Sequence, residues 1–171
     1  MLVFDLETDG LLNDVTRIHC LVIYDSEVDE TYTFNDEGST ESIIRGIQLL
    51  EEADVICGHN VISYDIPVIQ KIYPWFEPKA LVIDTLLLSR LYHPNLFELD
   101  QKKDDSRFPL QLRGRHSLES WGYRLNEYKG CFGKTADWKE WSQDMQDYCE
   151  QDVKVTTQLC NHFHPYLSGL R

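Results

Sequence analysis

Two carboxylates lie two positions apart in the apolar stretch LVFDLE at 2–7. Side chains at positions i and i+2 of a strand point to the same face, so Asp5 and Glu7 would lie side by side. A charge beside a core is costly unless it is compensated, and a divalent cation with oxygen ligands would supply that compensation. The alternative is a pair of carboxylates at a solvated strand end. Another D-x-E, at Asp25 and Glu27, lacks the apolar setting and indicates an exposed turn.

Two further segments carry acidic side chains in an apolar context. In GHNVISYDIPVI at 58–69, Asp65 falls near the start of a predicted helix, where the helix dipole favours a carboxylate. In DYCEQDVKVTTQLC, Tyr148 and Asp152 are four positions apart and share one face of a predicted helix. The alternatives are an ordinary first-turn acid at Asp65, and a core tyrosine with Asp152 at its edge. Four carboxylates from three elements match the layout of a two-metal site for phosphoryl transfer.

Hydrophobic periodicity predicts the elements that must position these side chains. We expect strands at 2–7, 18–25, 31–35 and 55–57, and helices at 40–52, 63–73, 83–92, 116–125 and 138–162. Thr40 is the expected N-cap of the first helix, Pro67 fits the first turn of the second, and 94–115 is predicted to be a long loop. This order of elements predicts one α/β domain with a mixed central sheet flanked by helices.

The charge of the chain is unevenly distributed. The formal net charge is −13, which by itself argues against binding to nucleic acid. Residues 102–139 nevertheless hold nine of the 16 basic residues and five of the 29 acidic ones. This basic stretch is either a solvated loop or a segment that follows a phosphate backbone.

The cysteine count and the apolar runs bear on the cellular compartment. Five cysteines with no C-x-x-C spacing predict neither a disulfide framework nor a zinc site. We expect no membrane-spanning segment and no signal peptide, so the reducing cytoplasm is the predicted location.

Three motifs in order resemble those of the DEDD superfamily of 3′–5′ exonucleases, which have the ribonuclease H-like fold. They are Asp5-Leu6-Glu7-Thr8, then Asn60 through Tyr64-Asp65, and then Tyr148-Cys149-Glu150-Gln151-Asp152. The last one matches Y-x-x-x-D, which places the chain with the tyrosine type of this superfamily.

Further segments resemble the N-terminal proofreading domain of family A DNA polymerases from short-tailed bacteriophages. They are VIDTLLLSRLYHPNL at 82–96 and GRHSLESWGYRLNEYKG at 114–130. Polymerase motifs do not follow in these 171 residues. The chain is therefore expected to be an excised domain, half of a split polymerase, or a free-standing exonuclease.

The resemblance implies a site with two divalent ions, Mg²⁺ or Mn²⁺. Asp5, Glu7 and Asp152 would hold the first ion, Asp5 would bridge to the second, and Asp65 would reach the second through water. The hydroxyl of Tyr148 would position the attacking water. Asp84 matches an acidic position of the family, although it also reads as the N-cap of the next helix.

The resemblance also implies a set of substrate contacts. Leu11, or failing that Leu12, would wedge between the last two bases, and Thr8 would approach the terminal 3′-hydroxyl. The strand would pass the side chains of Asn60 and Tyr64. The candidates for phosphate contacts in the basic stretch are Arg113, Arg115, His116 and Lys129.

The implied activity is removal of 5′-mononucleotides from the 3′ ends of single-stranded DNA or frayed duplexes, as in proofreading during DNA replication. The implied setting is the cytoplasm of an infected bacterium. There the chain would act as a monomer without a membrane contact, alone or beside a phage DNA polymerase. The alternatives are an exoribonuclease or oligoribonuclease of the same superfamily, and a nuclease fold that serves as a binding module.

Overall fold

A five-stranded mixed sheet forms the centre of the molecule, in the strand order β3-β2-β1-β4-β5. The computed structural model describes residues 1–37, 40–102, 107–127 and 138–169. The strands are β1 Leu2–Thr8, β2 Ile18–Asp25, β3 Glu30–Asn35, β4 Val55–Gly58 and β5 Leu81–Asp84. The helices are α1 Ile43–Glu52, α2 Asp65–Ile72, α3 Thr85–Tyr92, α4 Leu96–Lys102, α5 Leu118–Leu125 and α6 Gln143–Leu167. This architecture confirms the predicted α/β class with a mixed central sheet. Across these described ranges, no helix is both long and apolar enough to cross a membrane.

Strand β1 lies at the middle of the sheet and divides its side chains between two cores. It pairs antiparallel with β2 and parallel with β4. Phe4 and Leu6 belong to the core that α1 and α2 cover. Val3 points to the other core, where α6 packs. Asp5 and Glu7 alternate with Phe4 and Leu6, so they share the face of β1 that carries Val3.

Helix α1 packs unusually close to the sheet because it carries a glycine there. A Cβ atom at Gly46 would lie 2.7 Å from side-chain atoms of both Leu21 and Phe34. Since real Cβ atoms do not approach that closely, any larger residue would require these side chains or the helix to shift. The core therefore depends on a residue that intrinsic helix propensity disfavours.

The first three strands and α1 confirm the predicted elements, with a correction at the start of the helix. Ser42, not Thr40, is the N-cap residue of α1. The hydroxyl of Thr40 instead donates to the side-chain oxygen of Asn35, at a distance of 2.6 Å. Thr40 therefore joins the end of β3 to the segment that enters the helix.

Two predictions for the middle of the chain were wrong. The predicted helix at 83–92 begins only at Thr85, because Leu81–Asp84 pairs with β4 as a parallel edge strand. The four-residue run LVID is too short to show a hydrophobic period. The sequence pattern alone therefore could not separate this strand from the following helix. The predicted loop at 94–115 contains helix α4 and a 3₁₀ turn at Leu110–Leu112.

The predicted bounds of the last two helices also shift. Helix α5 begins at Leu118, after the N-cap Ser117, instead of at 116. Helix α6 begins at Gln143, after the N-cap Ser142, and ends at Leu167 instead of spanning 138–162. In both cases the serine side chain accepts a hydrogen bond from a backbone N–H of the first turn, which fixes the helix start.

A buried ion pair holds the segment from α4 to α5 together. The guanidinium of Arg124 donates to both carboxylate oxygens of Asp100, at 3.0 and 2.7 Å. Asp100 also accepts a hydrogen bond from the backbone N–H of Gly114. The side chains of the pair are only 5% and 2% exposed. The ion pair thus orders a polar segment whose sequence predicted an irregular loop.

The cysteine prediction was also wrong. The structure joins Cys57 in β4 to Cys160 in α6 by a disulfide, across 103 residues of sequence. Cys20 and Cys149 are buried and free. The cysteine count could not indicate this pairing, because it depends on the packing of α6 against the sheet.

We predict that Arg124→Leu lowers the free energy of unfolding by about 3–5 kcal/mol, because Asp100 would keep a buried charge without its guanidinium. Urea unfolding followed by circular dichroism measures the change. The matched control is Arg17→Leu, which removes an exposed ion pair with Glu37 and should cost about 0–1 kcal/mol. Equal losses in the two variants would contradict the prediction.

Candidate active site

The two carboxylates of β1 lie together and meet a thiol from α6. Ligand atoms of Asp5, Glu7 and Cys149 all lie within 4.8 Å of one another. The Cys149 thiol lies 3.3 Å from the backbone carbonyl of Asp5 and 3.6 Å from its carboxylate. Asp5 and Glu7 are half-buried, while Cys149 is fully buried. Burial raises the pKa of the Cys149 thiol, so the thiol adds no negative charge here at neutral pH.

Asp65 is connected to the same strand by a hydrogen bond to the backbone of Leu6. It is the first residue of α2 and is 4% exposed. Its pKa is raised to about 7, chiefly by burial and also by the nearby charges of Asp84 and Asp152, while hydrogen bonding to backbone groups, that of Leu6 among them, opposes the rise. Leu6 lies between Asp5 and Glu7 on β1. The hydrogen bond to Leu6 and the electrostatic interaction with Asp152 therefore relate Asp65 to the other two sequence motifs.

Asp84 organises the turn that leads to Asp65. Its carboxylate accepts hydrogen bonds from the backbone N–H groups of Asn60 at 3.0 Å and Ile62 at 3.2 Å. It also accepts from the N–H of Leu86 at 2.9 Å, which confirms its predicted N-cap role on α3. Asn60 has a left-handed backbone with φ of 68°, the conformation of a turn residue. Asp84 thus fixes the path of the chain between β4 and α2.

Helix α6 brings Tyr148, Cys149 and Asp152 to the sheet. Asp152 is 4% exposed, and its charge acts on Asp65. The ring of Tyr148 packs edge-on against Trp138, with 6.4 Å between ring centroids. The backbone carbonyl of Trp138 is 3.0 Å from the ring nitrogen Nε2 of His19. Tyr148 and Asp152 share a helix face, as their spacing predicted.

A cavity of about 400 Å³ opens beside these groups. Its lining residues are Glu7, Thr8, Asp9, Gly10, Leu11, Tyr64 and Trp138. The hydroxyls of Thr8 and Tyr64 both donate to the carbonyl of Gly10, which fixes one wall. Leu11 is 76% exposed, whereas Leu12 packs against the core. The cavity therefore joins an exposed apolar residue to the carboxylates.

The predicted phosphate contacts are not among the residues that line this cavity. Arg113 donates to the carbonyl of Phe108 and lies over its ring at 5.9 Å. His116 is 2.7 Å from the hydroxyl of Ser89 through Nδ1, and Arg115 is exposed. Lys129 lies outside the described residues.

Sequence reasoning missed two residues of the site. Cys149 stands inside the Y-x-x-x-D motif, one position after the tyrosine, and its place in the motif was the only available signal. Trp138 precedes α6 and carried no signal, because its approach to Glu7 and Leu11 depends on tertiary packing.

The residues of the site fit divalent cations. Asp5 and Glu7 supply carboxylate oxygens, the ligand type that Mg²⁺ and Mn²⁺ prefer. Asp65 and Asp152 are buried close enough to interact, so two negative charges there repel each other unless a cation or a proton compensates them. The chemistry of this donor set is that of a cation site.

The fold and this site define a class of protein. The model of the RNase H superfamily matches residues 2–107, so the chain belongs to this superfamily. Among curated proteins, the DNA-directed DNA polymerases of Enterobacteria phage T3 and Escherichia phage T7 are each 34% identical to it, over 182 and 183 aligned positions. Each alignment covers 93% of this chain and 26% of the polymerase. The chain thus spans about a quarter of the length of these relatives.

Solved structures share the fold at lower identity. Brucella melitensis NrnC with bound Mg²⁺ matches 98% of this chain and 74% of its own, with a TM-score of 0.61 and 17% identity. The zinc-bound complex of Escherichia coli ExoI with single-stranded DNA matches 99% of this chain and 42% of its own, with a TM-score of 0.58 and 19% identity. These likenesses confirm the ribonuclease H-like fold that the motifs predicted.

We predict that Asp65→Asn flattens the pH dependence of stability in metal-free protein. The pKa of Asp65 rises from its ordinary value of 3.8 to about 7 on folding, so the folded state binds the extra proton between these values. Stability from this group is complete below pH 4 and is lost as the pH rises through 7, by at most about 1.4 kcal/mol per pH unit.

Urea unfolding in the presence of a chelator, from pH 4 to 8, measures this effect as the difference between wild type and the variant. Parallel curves for the two proteins would contradict the prediction.

Proposed function

We propose that residues 1–171 form one 3′–5′ exonuclease domain. Its substrate is single-stranded DNA or a frayed 3′ end, and its products are 5′-mononucleotides. The observation that carries this proposal is that Asp5 and Glu7 lie together on β1, while Asp65 of α2 hydrogen-bonds to the backbone of the same strand and interacts electrostatically with Asp152 of α6. Identity to the phage polymerases over nearly the whole chain supports DNA as the substrate.

The carboxylates hold the catalytic ions in this proposal. Asp5, Glu7 and Asp152 bind one divalent ion, and Asp65 contributes to a second. When bound, such ions lower the pKa of water and stabilise charge on the leaving oxygen. The hydroxyl of Tyr148 orients the attacking water by hydrogen bonding. In this role it acts by position and not as a general base.

The terminal nucleotide occupies the cavity between Leu11 and Trp138. Its volume of about 400 Å³ lies within the range of about 300–1,000 Å³ that small-molecule sites have. The exposed Leu11 separates the last two bases, and the Thr8–Tyr64 wall contacts the sugar and its 3′-hydroxyl. Such contacts read stacking and backbone, so the domain has little base preference.

Arg113, Arg115 and His116 contact the phosphates farther along the strand. Of these, Arg115 is exposed, while Arg113 and His116 would also keep their contacts to Phe108 and Ser89. Asn60, in the turn before α2, borders the path of the strand together with Tyr64.

The setting that we propose is a phage-infected bacterial cytoplasm. The domain acts there as a monomer, alone or with a phage DNA polymerase. The related polymerases are about four times as long as the region that this chain matches. The role is removal of unpaired 3′ ends during DNA replication.

We predict that the double substitution Asp5→Asn, Glu7→Gln abolishes Mg²⁺-dependent shortening of a 5′-labelled single-stranded DNA. The rate should fall about 100-fold or more, at least as much as the loss of one preorganised electrostatic contact costs other enzymes. The wild-type ladder should shrink from the 3′ end.

The matched control is Asp25→Asn, Glu27→Gln, which changes the other D-x-E of the chain, at the end of β2 and in the exposed turn after it. It should retain the wild-type rate. An RNA strand of the same sequence tests the exoribonuclease alternative. If the wild type shortens no strand with Mg²⁺ or Mn²⁺, the proposed function is wrong for this chain alone.

We predict that Trp138→Ala raises KM for single-stranded DNA more than it lowers kcat, because the base loses a stacking partner. Stacking of a base on an aromatic side chain contributes about 1–3 kcal/mol, so KM should rise about 5- to 100-fold. Trp75→Ala, at a tryptophan that is 44% exposed, is the control and should not change KM. An unchanged KM in Trp138→Ala would remove Trp138 from the substrate site.

A further inference from the structure

A buried histidine lies next to the walls of the cavity in the candidate active site. His19 is 1% exposed and belongs to β2, whose other residues from Ile18 to Ile23 are apolar. It does not line the cavity, but it interacts with two residues that do. Its ring hydrogen-bonds to the backbone of Trp138, and it interacts electrostatically with Asp9. His19 would therefore act on a ligand in the cavity through these neighbours.

The imidazole of His19 uses one of its two nitrogens for a hydrogen bond to Trp138. Nε2 lies 3.0 Å from the carbonyl oxygen. Because a carbonyl oxygen can only accept, Nε2 carries a proton and donates. Nδ1 is buried and has no hydrogen-bond partner among the described residues. Burial of an unpartnered polar atom is costly, and an apolar side chain in this strand would avoid that cost. What the histidine adds at this position is thus its bond to Trp138.

That hydrogen bond holds the backbone of a residue whose side chain faces the cavity. Trp138 lines the cavity together with Glu7 and Leu11, and its ring packs edge-on against that of Tyr148. It lies before α6, outside the helices and strands, so no ladder of backbone hydrogen bonds fixes its position. The bond from His19 ties it to the central sheet across 119 positions of sequence.

We propose that His19 is a positioning residue that holds the indole of Trp138 in place as the stacking partner of the terminal nucleotide. The inference rests on the proposed function, which assigns that contact to Trp138. His19 acts through Trp138 and not by its own contact with the nucleotide. Loss of its hydrogen bond should therefore weaken the binding of DNA more than it slows the chemical step.

The test compares side chains that keep or lose a donor at the position of Nε2. Glutamine carries its amide nitrogen as many bonds from the backbone as Nε2 of histidine, asparagine carries the same amide one bond short, and methionine has no donor. His19→Met and His19→Asn should raise KM for single-stranded DNA about 2- to 10-fold, the fold-change that loss of one neutral hydrogen bond gives, with a smaller change in kcat.

His19→Gln should keep the KM of wild type, because it restores the donor. The control His164→Met, at an exposed histidine of α6, should also keep it. An unchanged KM in both His19→Met and His19→Asn would overturn the proposal, as would an increase in His19→Gln as large as theirs.

A double-mutant cycle shows whether the effect passes through the indole. Trp138→Ala removes the indole but keeps the backbone carbonyl to which His19 donates. Addition of His19→Met to Trp138→Ala should therefore raise KM no further, because no side chain remains to be positioned. A further increase as large as that of His19→Met alone would assign the effect to the fold in general and overturn the proposal.

The indole N–H signals of the four tryptophans test the same contact without any substrate. In NMR spectra of isotope-labelled protein, Trp138→Phe identifies the signal of Trp138. His19→Met and His19→Asn should shift that signal by more than its line width, whereas His19→Gln should leave it in place. Circular dichroism checks the folding of each variant.

This measurement also separates the inference from the proposed function. Degradation of DNA by wild type, with a Trp138 signal that responds to neither His19→Met nor His19→Asn, would overturn the positioning role and leave the exonuclease in place. A signal that responds in a protein that degrades no DNA would support the hold of His19 on Trp138 and reject the exonuclease.

Discussion

Mutual repulsion among carboxylates withdrawn from water is the constraint on which the site depends. Asp65 and Asp152 are almost completely buried, and the pKa of Asp65 rises because burial disfavours its charge and neighbouring charges add to the effect. Carboxylates in such a place would move apart if they were on flexible segments. Here one comes from the central strand, one from a helix N-terminus and one from the longest helix, so packing of the whole domain resists their separation.

The rigid parts of the fold explain how that resistance arises. Strand β1 has neighbours on both sides, and α6 packs across β1 and β2. The carboxylate of Asp84 accepts hydrogen bonds from backbone N–H groups in the turn before α2. These bonds fix the backbone that leads to Asp65. Rigid elements hold catalytic groups more accurately than loops do. The site is therefore preorganised by its backbone.

The segment that contains α4 and α5 follows a different principle. It is polar and charged, and its apolar cluster is smaller than the core under α1 and α2. The buried pair of Asp100 and Arg124 holds this segment together. The guanidinium of Arg124 also lies over the rings of Phe108 and Trp121. The desolvation cost of burying two charges offsets much of their attraction, so the net stability that such a pair adds is small even though removal of one partner is costly. The arrangement positions an exposed arginine, Arg115, without requiring a hydrophobic surface there.

The sequence by itself determined the class of the fold, most of the sheet and the elements that carry the carboxylates of the candidate site. Local rules were sufficient for these features. Alternation along the strand placed Asp5 and Glu7 on one face of β1, and helical spacing placed Tyr148 and Asp152 on one face of α6. The order of the motifs indicated the superfamily to which the chain belongs. Periodicity failed at β5 and α4, where a short apolar run and a charged stretch carry no period that distinguishes strand, helix and loop.

Only the tertiary structure decided which distant residues meet. The disulfide between Cys57 and Cys160, the thiol of Cys149 beside Asp5 and the approach of Trp138 to Glu7 join residues more than 100 positions apart. Such contacts are set by the packing of α6 against the sheet, which sums many weak interactions along the helix. No local pattern encodes that sum, so the carboxylates of the candidate site could be found from the sequence whereas the thiol beside them could not.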